Sequence, residues 1–361
     1  MRHLGRSLPR LEAGPLVAGR GWYVGSIEMA DQLSMRVVRS PFPHARITSI
    51  DVSEALAVPG VVAAWSWADL GDVAPIGFRR DVGDALAPFR QPVLASDMVR
   101  YVGEPVAVVF AETAAIAEDA ADLVDFRAEL LDASIDPADS VFGGSVDRAT
   151  AAVVEEGFGD VDSAFASADL VVELELEIGR HSAMPLEPRG LVAHWDGARD
   201  MLEVCGAARF PHIDRDMLAA QIGRPASRVA LIESHVGGGF GVRGEIGPED
   251  VLVCLAALRL GRPVAWIEDR SEHMIAAAHA RGQRHIARIA AQDDGRLVAM
   301  DVTFMLDQGA YLRPDGLLTA QLTAAMLPGP YRLDAFRAVG DVRLTHKTPA
   351  GTYRAGGRYE S

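Results

Sequence analysis

The sequence predicts an α/β (α+β) chain with mixed and antiparallel sheets, and three stretches carry that prediction. Residues 228–236 (RVALIESHV) read as a strand and residues 249–260 (EDVLVCLAALRL) as a buried helix, opened by Pro248 and two acids and closed by Gly261. Residues 104–110 (EPVAVVF) are a nearly continuous apolar strand, and Thr113 then caps an Ala-rich helix. Residues 171–178 (VVELELEI) alternate with period two, and residues 285–291 and 296–306 form a hairpin across Asp294-Gly295. Strands alternating with helices, followed by antiparallel pairs, call for helices packed on more than one sheet.

In chain order, residues 1–18 form a basic N-terminal extension without the apolar core of a signal peptide. Residues 19–133 read as a small α/β domain, with strands at 33–38, 47–52 and, after Pro59-Gly60, 61–65. The 104–110 strand comes next, then a helix whose Ile116, Ala120 and Leu123 share one face. Arg39, His44 and Arg46 offer a basic site, but a proline-stiffened turn with satisfied polar groups is the favoured reading. Residues 134–160, with Pro137, Gly143, Gly144 and scattered acids, read as a connector.

Residues 161–361 read as a second unit. It begins with a short helix at 162–169 and the 171–178 strand, expected to be half-buried with Glu173, Glu175 and Glu177 on the solvated face. Pro185 and Pro188 bracket Glu187 and fix the backbone around its carboxylate, a structural acid or a general base. Arg209-Phe-Pro-His212 leads into a helix at 213–222 with Ile213, Met217 and Ala220 on one face; Arg209 either pairs with an anionic group or caps a surface. The dense charges of residues 262–281, next to a strand at 264–267, predict an ion-pair scaffold rather than a metal site.

Between strand and helix stands Val-Gly-Gly-Gly-Phe-Gly-Val-Arg-Gly-Glu, residues 236–245, with glycine at five of ten positions. Glycine permits positive φ and close backbone approach, and the free N–H groups at a strand-to-helix turn favour an anion. By itself such a loop is either a tight turn or an anion cradle lined by Gly237, Gly238, Gly239, Phe240, Gly241 and Arg243. Its spacing is neither the dinucleotide nor the nucleoside-triphosphate pattern.

Composition narrows the class. At 361 residues, 49% hydrophobic and 24% charged, the chain has room for two or three domains with real cores. A formal charge of −15 argues against nucleic acid or anionic lipid as partner. Only Cys205 and Cys254 occur, so neither a disulfide framework nor an iron–sulfur pattern is available, and a reducing, cytoplasmic setting is expected. No apolar run reaches membrane-spanning length.

The loop VGGGFG with a basic residue two positions on, and the ordered text RSPFPHARITSIDVSEAL, PGVV and PVLASDMVRYVGEPVAVV in the first domain, resemble the molybdopterin-binding catalytic subunit of the xanthine dehydrogenase and aldehyde oxidase family. The resemblance implies an a/b hammerhead domain (19–133) followed by the first part of a molybdopterin-binding domain (161–361), and covers the first half of the family's subunit. Arg243 stands where many members carry lysine, and Arg209 where many place a glutamine near the metal. The second Gly- and Arg-rich loop, residues 347–358, corresponds to a segment over the family's active site. That adds Arg354 to the implied cofactor contacts and Tyr353, Ala355 and Gly356 to the neighbours. Carbon monoxide dehydrogenases carry cysteine after the Tyr-Arg pair; Ala355 here disfavours that chemistry.

The activity implied by the resemblance is oxidative hydroxylation of an aldehyde or N-heterocycle with water, using molybdopterin, with the cytosine dinucleotide form as one variant. Electrons pass to iron–sulfur and FAD partner subunits. The catalytic base is expected in a further cofactor-binding region carried by a second chain or segment, so a catalytic residue is not assigned within this sequence. The alternative of different class is a non-catalytic remnant or assembly module. Either way, strands such as 171–178 and the 249–260 helix, laid out for a larger core, are expected to leave apolar surface exposed in the isolated chain.

Overall fold

The computed structural model describes residues 3–80, 82–145 and 149–361; of the expected extension and connector, residues 1–2 and 146–148 lie outside the described residues. In chain order the strands are β1 (Leu33–Arg39), β2 (Ala45–Asp51), β3 (Val61–Ser66), β4 (Met98–Val99), β5 (Pro105–Ala111), β6 (Asp125–Leu130), β7 (Thr150–Phe158) and β8 (Leu170–Ile178). They continue with β9 (Gly190–Asp196), β10 (Met201–Gly206), β11 (Val229–Ile232), β12 (Val264–Ile267), β13 (Gly282–Ala291), β14 (Leu297–Gly309) and β15 (Ala335–Leu344). They make a seven-stranded mixed sheet, β11-β10-β9-β12-β1-β5-β3, a five-stranded sheet, β7-β15-β14-β13-β8, and a three-stranded sheet, β4-β2-β6. Mixed and antiparallel sheets with helices packed on them are the predicted class.

The seven-stranded sheet crosses the expected domain boundary, because β1 pairs in parallel with β12 through Leu33 and Val264. Period-two alternation sends Leu33, Met35 and Val37 to one face, where Val108, Phe110, Leu191 and Leu202 join them under the helix Pro248–Leu260. Each fully buried Val or Leu there contributes about 1.5–3 kcal/mol, so Val251, Leu252 and Val253 fix that helix, and with it the end of the glycine loop. β5 lies between β1 and β3 and is buried along its whole length, with Val109 facing Ala55 and Ala120 on the opposite side.

The helix Ala114–Ala121 is capped as expected, the Thr113 side chain accepting the Ile116 N–H at 3.2 Å. Thr113→Ala is expected to cost about 1 kcal/mol, read as a shift in the urea midpoint at unchanged slope; an unmoved midpoint would show the cap to be idle. The buried residues of this helix are Ala117 and Ala120, whereas Leu123 lies beyond its end and is exposed.

Other expectations are corrected by what packs where. The strand expected over 228–236 is only β11, because β11 is an edge that pairs with β10 alone. Past it the backbone turns to Trp22, whose carbonyl accepts the His235 N–H at 2.8 Å. The stretch 134–160 is more than a connector, since β7 within it is the edge of the five-stranded sheet. β8 is antiparallel to β13 as expected, but it is not half-buried: Leu170, Val172, Leu174 and Leu176 are 45–55% exposed. It is the sheet's other edge, and the helix Leu318–Met326 packs at the β7–β15 end instead. The helix Pro211–Gln221 turns Leu218 and Ala219 to the core, leaving Ile213 and Ala220 exposed. Among the described residues no helix is long and apolar enough to cross a membrane.

Candidate functional site

The glycine loop leaves β11, turns twice with positive φ at Gly238 (+108°) and Gly241 (+105°), and enters the helix Pro248–Leu260. A Cβ at Gly241 would collide with the Thr352 carbonyl, so glycine is required for the close approach of the second loop. That approach is closed by hydrogen bonds: the Arg354 N–H donates to the Phe240 carbonyl at 2.8 Å and the Thr352 hydroxyl to the Gly241 carbonyl at 3.1 Å. Phe240 itself takes φ +51°, and its ring is exposed. Ala355, at φ +61°, turns the second loop at the cavity edge.

Glu187 holds the start of the loop. Its carboxylate accepts the Gly237 N–H at 2.7 Å and the Val24 N–H at 3.2 Å, and its own N–H donates to the Gly237 carbonyl at 3.2 Å. Of the two readings left open for it, these bonds are those of a structural acid. Arg243 points back rather than out: its Nη2 donates to the Glu187 and Pro188 carbonyls at 2.5 and 2.6 Å and lies 3.1 Å from the Glu187 carboxylate. Burial pulls this guanidinium below the usual arginine range against the attraction of Glu187. Its Nε and Nη1 are buried without a hydrogen-bond partner.

The loop's amides are arranged differently. Among the described residues the N–H groups of Gly238, Gly239, Phe240 and Gly241 donate to no protein acceptor, while Val242 N–H and Gly244 N–H close turns on Gly239 and Gly241. Gly239 faces open space, with no atom within 4 Å of where a Cβ would stand. It borders a cavity of about 380 Å³ with Gly241, Arg209, Arg354 and Ala355. A second cavity of about 660 Å³ shares Arg209 and Ala355, and adds Gly356, Arg358, Arg80 and Phe210. Tyr353 stands apart from both, its ring against His181 and its carbonyl accepting from Arg281.

Behind the loop lies the ion-pair scaffold expected from residues 262–281. Arg39 donates to Glu249 and Glu272, both at 2.6 Å, and Arg189 bridges Glu268 and Glu249. This fixes Arg39 as structural; His44 stacks on His346 at 3.9 Å, and Arg46 is exposed. Burial alone would raise Glu268, but Arg189 and His273 outweigh it and hold the carboxyl at about 2. Burial also pushes Asp250 up to about 6, although it accepts the Gly247 N–H. Arg313 belongs to this interior, bonded to Gln91 at 3.0 Å and the Ile246 carbonyl at 3.2 Å, and lines neither of the two cavities. Sequence reading missed Arg80, whose doublet with Arg79 in an acidic chain was the available signal.

Consecutive amides without protein acceptors, glycine where a side chain would intrude, and neighbouring arginines are the features an anion-binding turn requires. The lineage of the chain is definite. The chain belongs to the xanthine dehydrogenase and aldehyde oxidase family: residues 18–131 match the aldehyde oxidase and xanthine dehydrogenase a/b hammerhead domain, and residues 146–361 the molybdopterin cofactor-binding domain. It is 38% identical to the 6-hydroxypseudooxynicotine dehydrogenase complex subunit gamma of Paenarthrobacter nicotinovorans, over 99% of this chain and 46% of that one. It is 29% identical to the nicotinate dehydrogenase large molybdopterin subunit of Eubacterium barkeri, over 98% of this chain and 82% of that one. Quinoline 2-oxidoreductase from Pseudomonas putida 86 superposes with a TM-score of 0.89 at 35% identity, covering 98% of this chain and 46% of that chain. The chain thus spans about half the length of the first of these relatives and of that structure.

Proposed function

We propose that this chain forms the hammerhead (19–133) and first cofactor-binding (161–361) parts of a molybdenum hydroxylase acting on an aldehyde or N-heterocycle. The run of unspent amides from Gly238 to Gly241 carries the reading. These amides, with Arg354 and Arg209 at the same cavity, would hold the anionic groups of molybdopterin, in its cytosine dinucleotide form or without the nucleotide. The Gly237 N–H and the Arg243 guanidinium set the loop's shape through Glu187. When bound, the cofactor supplies the redox centre for hydroxylating an electron-poor carbon with water. Tyr353, Ala355 and Gly356 belong to the loop that borders the reacting side.

Within this proposal Glu187 is not the base, because both its oxygens are occupied by backbone N–H groups. The base, and the rest of the cofactor's contacts, come from the region that the longer relatives carry beyond the matched half, on this polypeptide or another. The names of the relatives, a complex subunit gamma and a large molybdopterin subunit, support partner subunits, which under this reading are iron–sulfur and FAD proteins. Cys205 and Cys254, both buried, hold no cluster in the proposal.

Gly239→Ala tests the cradle. The added methyl meets no protein atom, so the variant is expected to fold as the parent does. Obstructing one amide contact to a charged group is worth about 1.5 kcal/mol or more, hence about a tenfold weaker hold on the cofactor. Molybdenum and pterin content per chain of the complete enzyme, followed during dialysis against cofactor-free buffer, reads this. Undiminished content would remove the loop from the site.

A further inference from the structure

The larger cavity is an amphipathic slot that the cofactor reading touches only at Arg209, Ala355 and Gly356. One wall is the exposed face of the helix Pro211–Gln221, with Ile213 and Met217 at i and i+4; the facing wall is the first turns of the helix Leu318–Met326, with Leu322. Such a face on a surface helix ordinarily packs against a core. Here Ile213 is 46% exposed and borders a space of about 660 Å³. Phe210 closes one end, its ring flanked by the guanidinium carbons of Arg79 at 5.0 Å and Arg209 at 5.1 Å.

Charge at the rim is one-sided. Both carboxylates of the lining have a partner, Asp216 in Arg215 at 2.7 Å and Asp315 in Arg79 at 3.0 Å, which it shares with the buried Asp214. Arg80, Arg209 and Arg358 line the same slot, and none makes an ion pair among the described residues; Arg358 gives only its Nε, to the Ala355 carbonyl at 3.2 Å. In a chain of formal charge −15, three guanidiniums without an ion pair among the described residues, Arg209 being shared with the cofactor cavity, gather positive charge around an apolar slot. Arginine supplies a planar fork matched to a carboxylate, and the apolar walls supply the surface for a flat ring.

We propose that this slot binds an aromatic carboxylate, with the ring against Phe210, Ile213, Met217 and Leu322 and the carboxylate on Arg80 and Arg358. As a binding site it stands on these residues alone; as the substrate site, it rests on the molybdenum-hydroxylase reading, to whose cradle Arg209 and Ala355 join it.

The test is calorimetric titration of the complete enzyme, its molybdenum content measured, with naphthalene-2-carboxylate and its neutral isostere naphthalene-2-carboxamide. The carboxylate is expected to bind about tenfold tighter at low ionic strength, a typical increment for a charge-assisted pair. That preference should shrink at high salt, vanish in the Arg80→Met/Arg358→Met double variant at unchanged molybdenum content, and invert in Arg358→Glu. Both arginines are exposed and make no ion pair among the described residues, so these variants are expected to fold. Equal affinity for acid and amide in molybdenum-loaded enzyme overturns the site alone, as does a preference that survives the double variant. Complete enzyme that takes up no molybdenum when expressed with the cofactor supplied, yet still prefers the acid, upholds the site and overturns the hydroxylase reading.

Discussion

Arg281→Met is expected to destabilise the protein by about 3–5 kcal/mol, the range for removing one partner of a buried ion pair. The Arg281 side chain is wholly buried and its Nη2 donates to Glu360, itself 1% exposed. Nη1 donates to the Gly351 carbonyl at 2.9 Å and the Tyr353 carbonyl at 2.6 Å. One guanidinium thus ties the start of the second loop to its end, and that loop carries Arg354, Ala355 and Arg358 to the two cavities. Methionine keeps much of the volume but strands the Glu360 carboxylate and two carbonyls in the interior. Urea unfolding reads the loss. Adding Glu360→Leu should recover part of it, since the stranded charge is then gone. A loss under about 1 kcal/mol would show that Glu360 is not left buried and charged when Arg281 is gone.

The sequence made Arg281 visible as one of many charges, but not as a buried one. Local pattern reveals which residues are apolar in period and where a helix is capped; hence Pro248–Leu260, β5, β12 and the β13–β14 hairpin were legible. The glycine loop was legible too, because positive φ leaves its mark as glycine. Partnership across long separations has no such mark. Arg39, Arg243 and Arg281 are spent inside the protein while Arg80, Arg209 and Arg358 are not, and composition treats all six alike. The same limit explains β8 and Ile213. Amphipathicity announces an apolar face, whereas what covers it depends on elements far away in the chain, or on none. The parallel pairing of β1 with β12, joining residues more than two hundred apart, is another case.

Glu104→Gln is expected to change how stability depends on pH, by about 3 kcal/mol across the neutral range. Glu104 is 1% exposed, and burial pushes its carboxyl up from 4.5 to about 7 although the Tyr311 hydroxyl (2.6 Å) and the Arg100 N–H (2.5 Å) both donate to it. Between those two values the folded state holds a proton that the unfolded state has released. The stability contributed by the protonated carboxyl is therefore complete below about pH 4.5 and is lost as pH rises through about 7, at about 1.4 kcal/mol for each pH unit in that window. Glutamine keeps an acceptor for the Tyr311 hydroxyl and cannot ionise. The variant should be close to the parent in stability at pH 4.5 and more stable than it by about 3 kcal/mol at pH 8. Taking the difference between the two proteins at each pH removes the other titrating groups, among them Asp250, whose raised value acts in the same direction. His279 and His346 act the opposite way. Burial lowers both to about 4, so each favours the fold more as pH rises from 4 to 6.5, and that contribution cancels in the comparison. A stability difference independent of pH would mean that Glu104 stays ionised in the folded protein, with Arg100 compensating its burial in full.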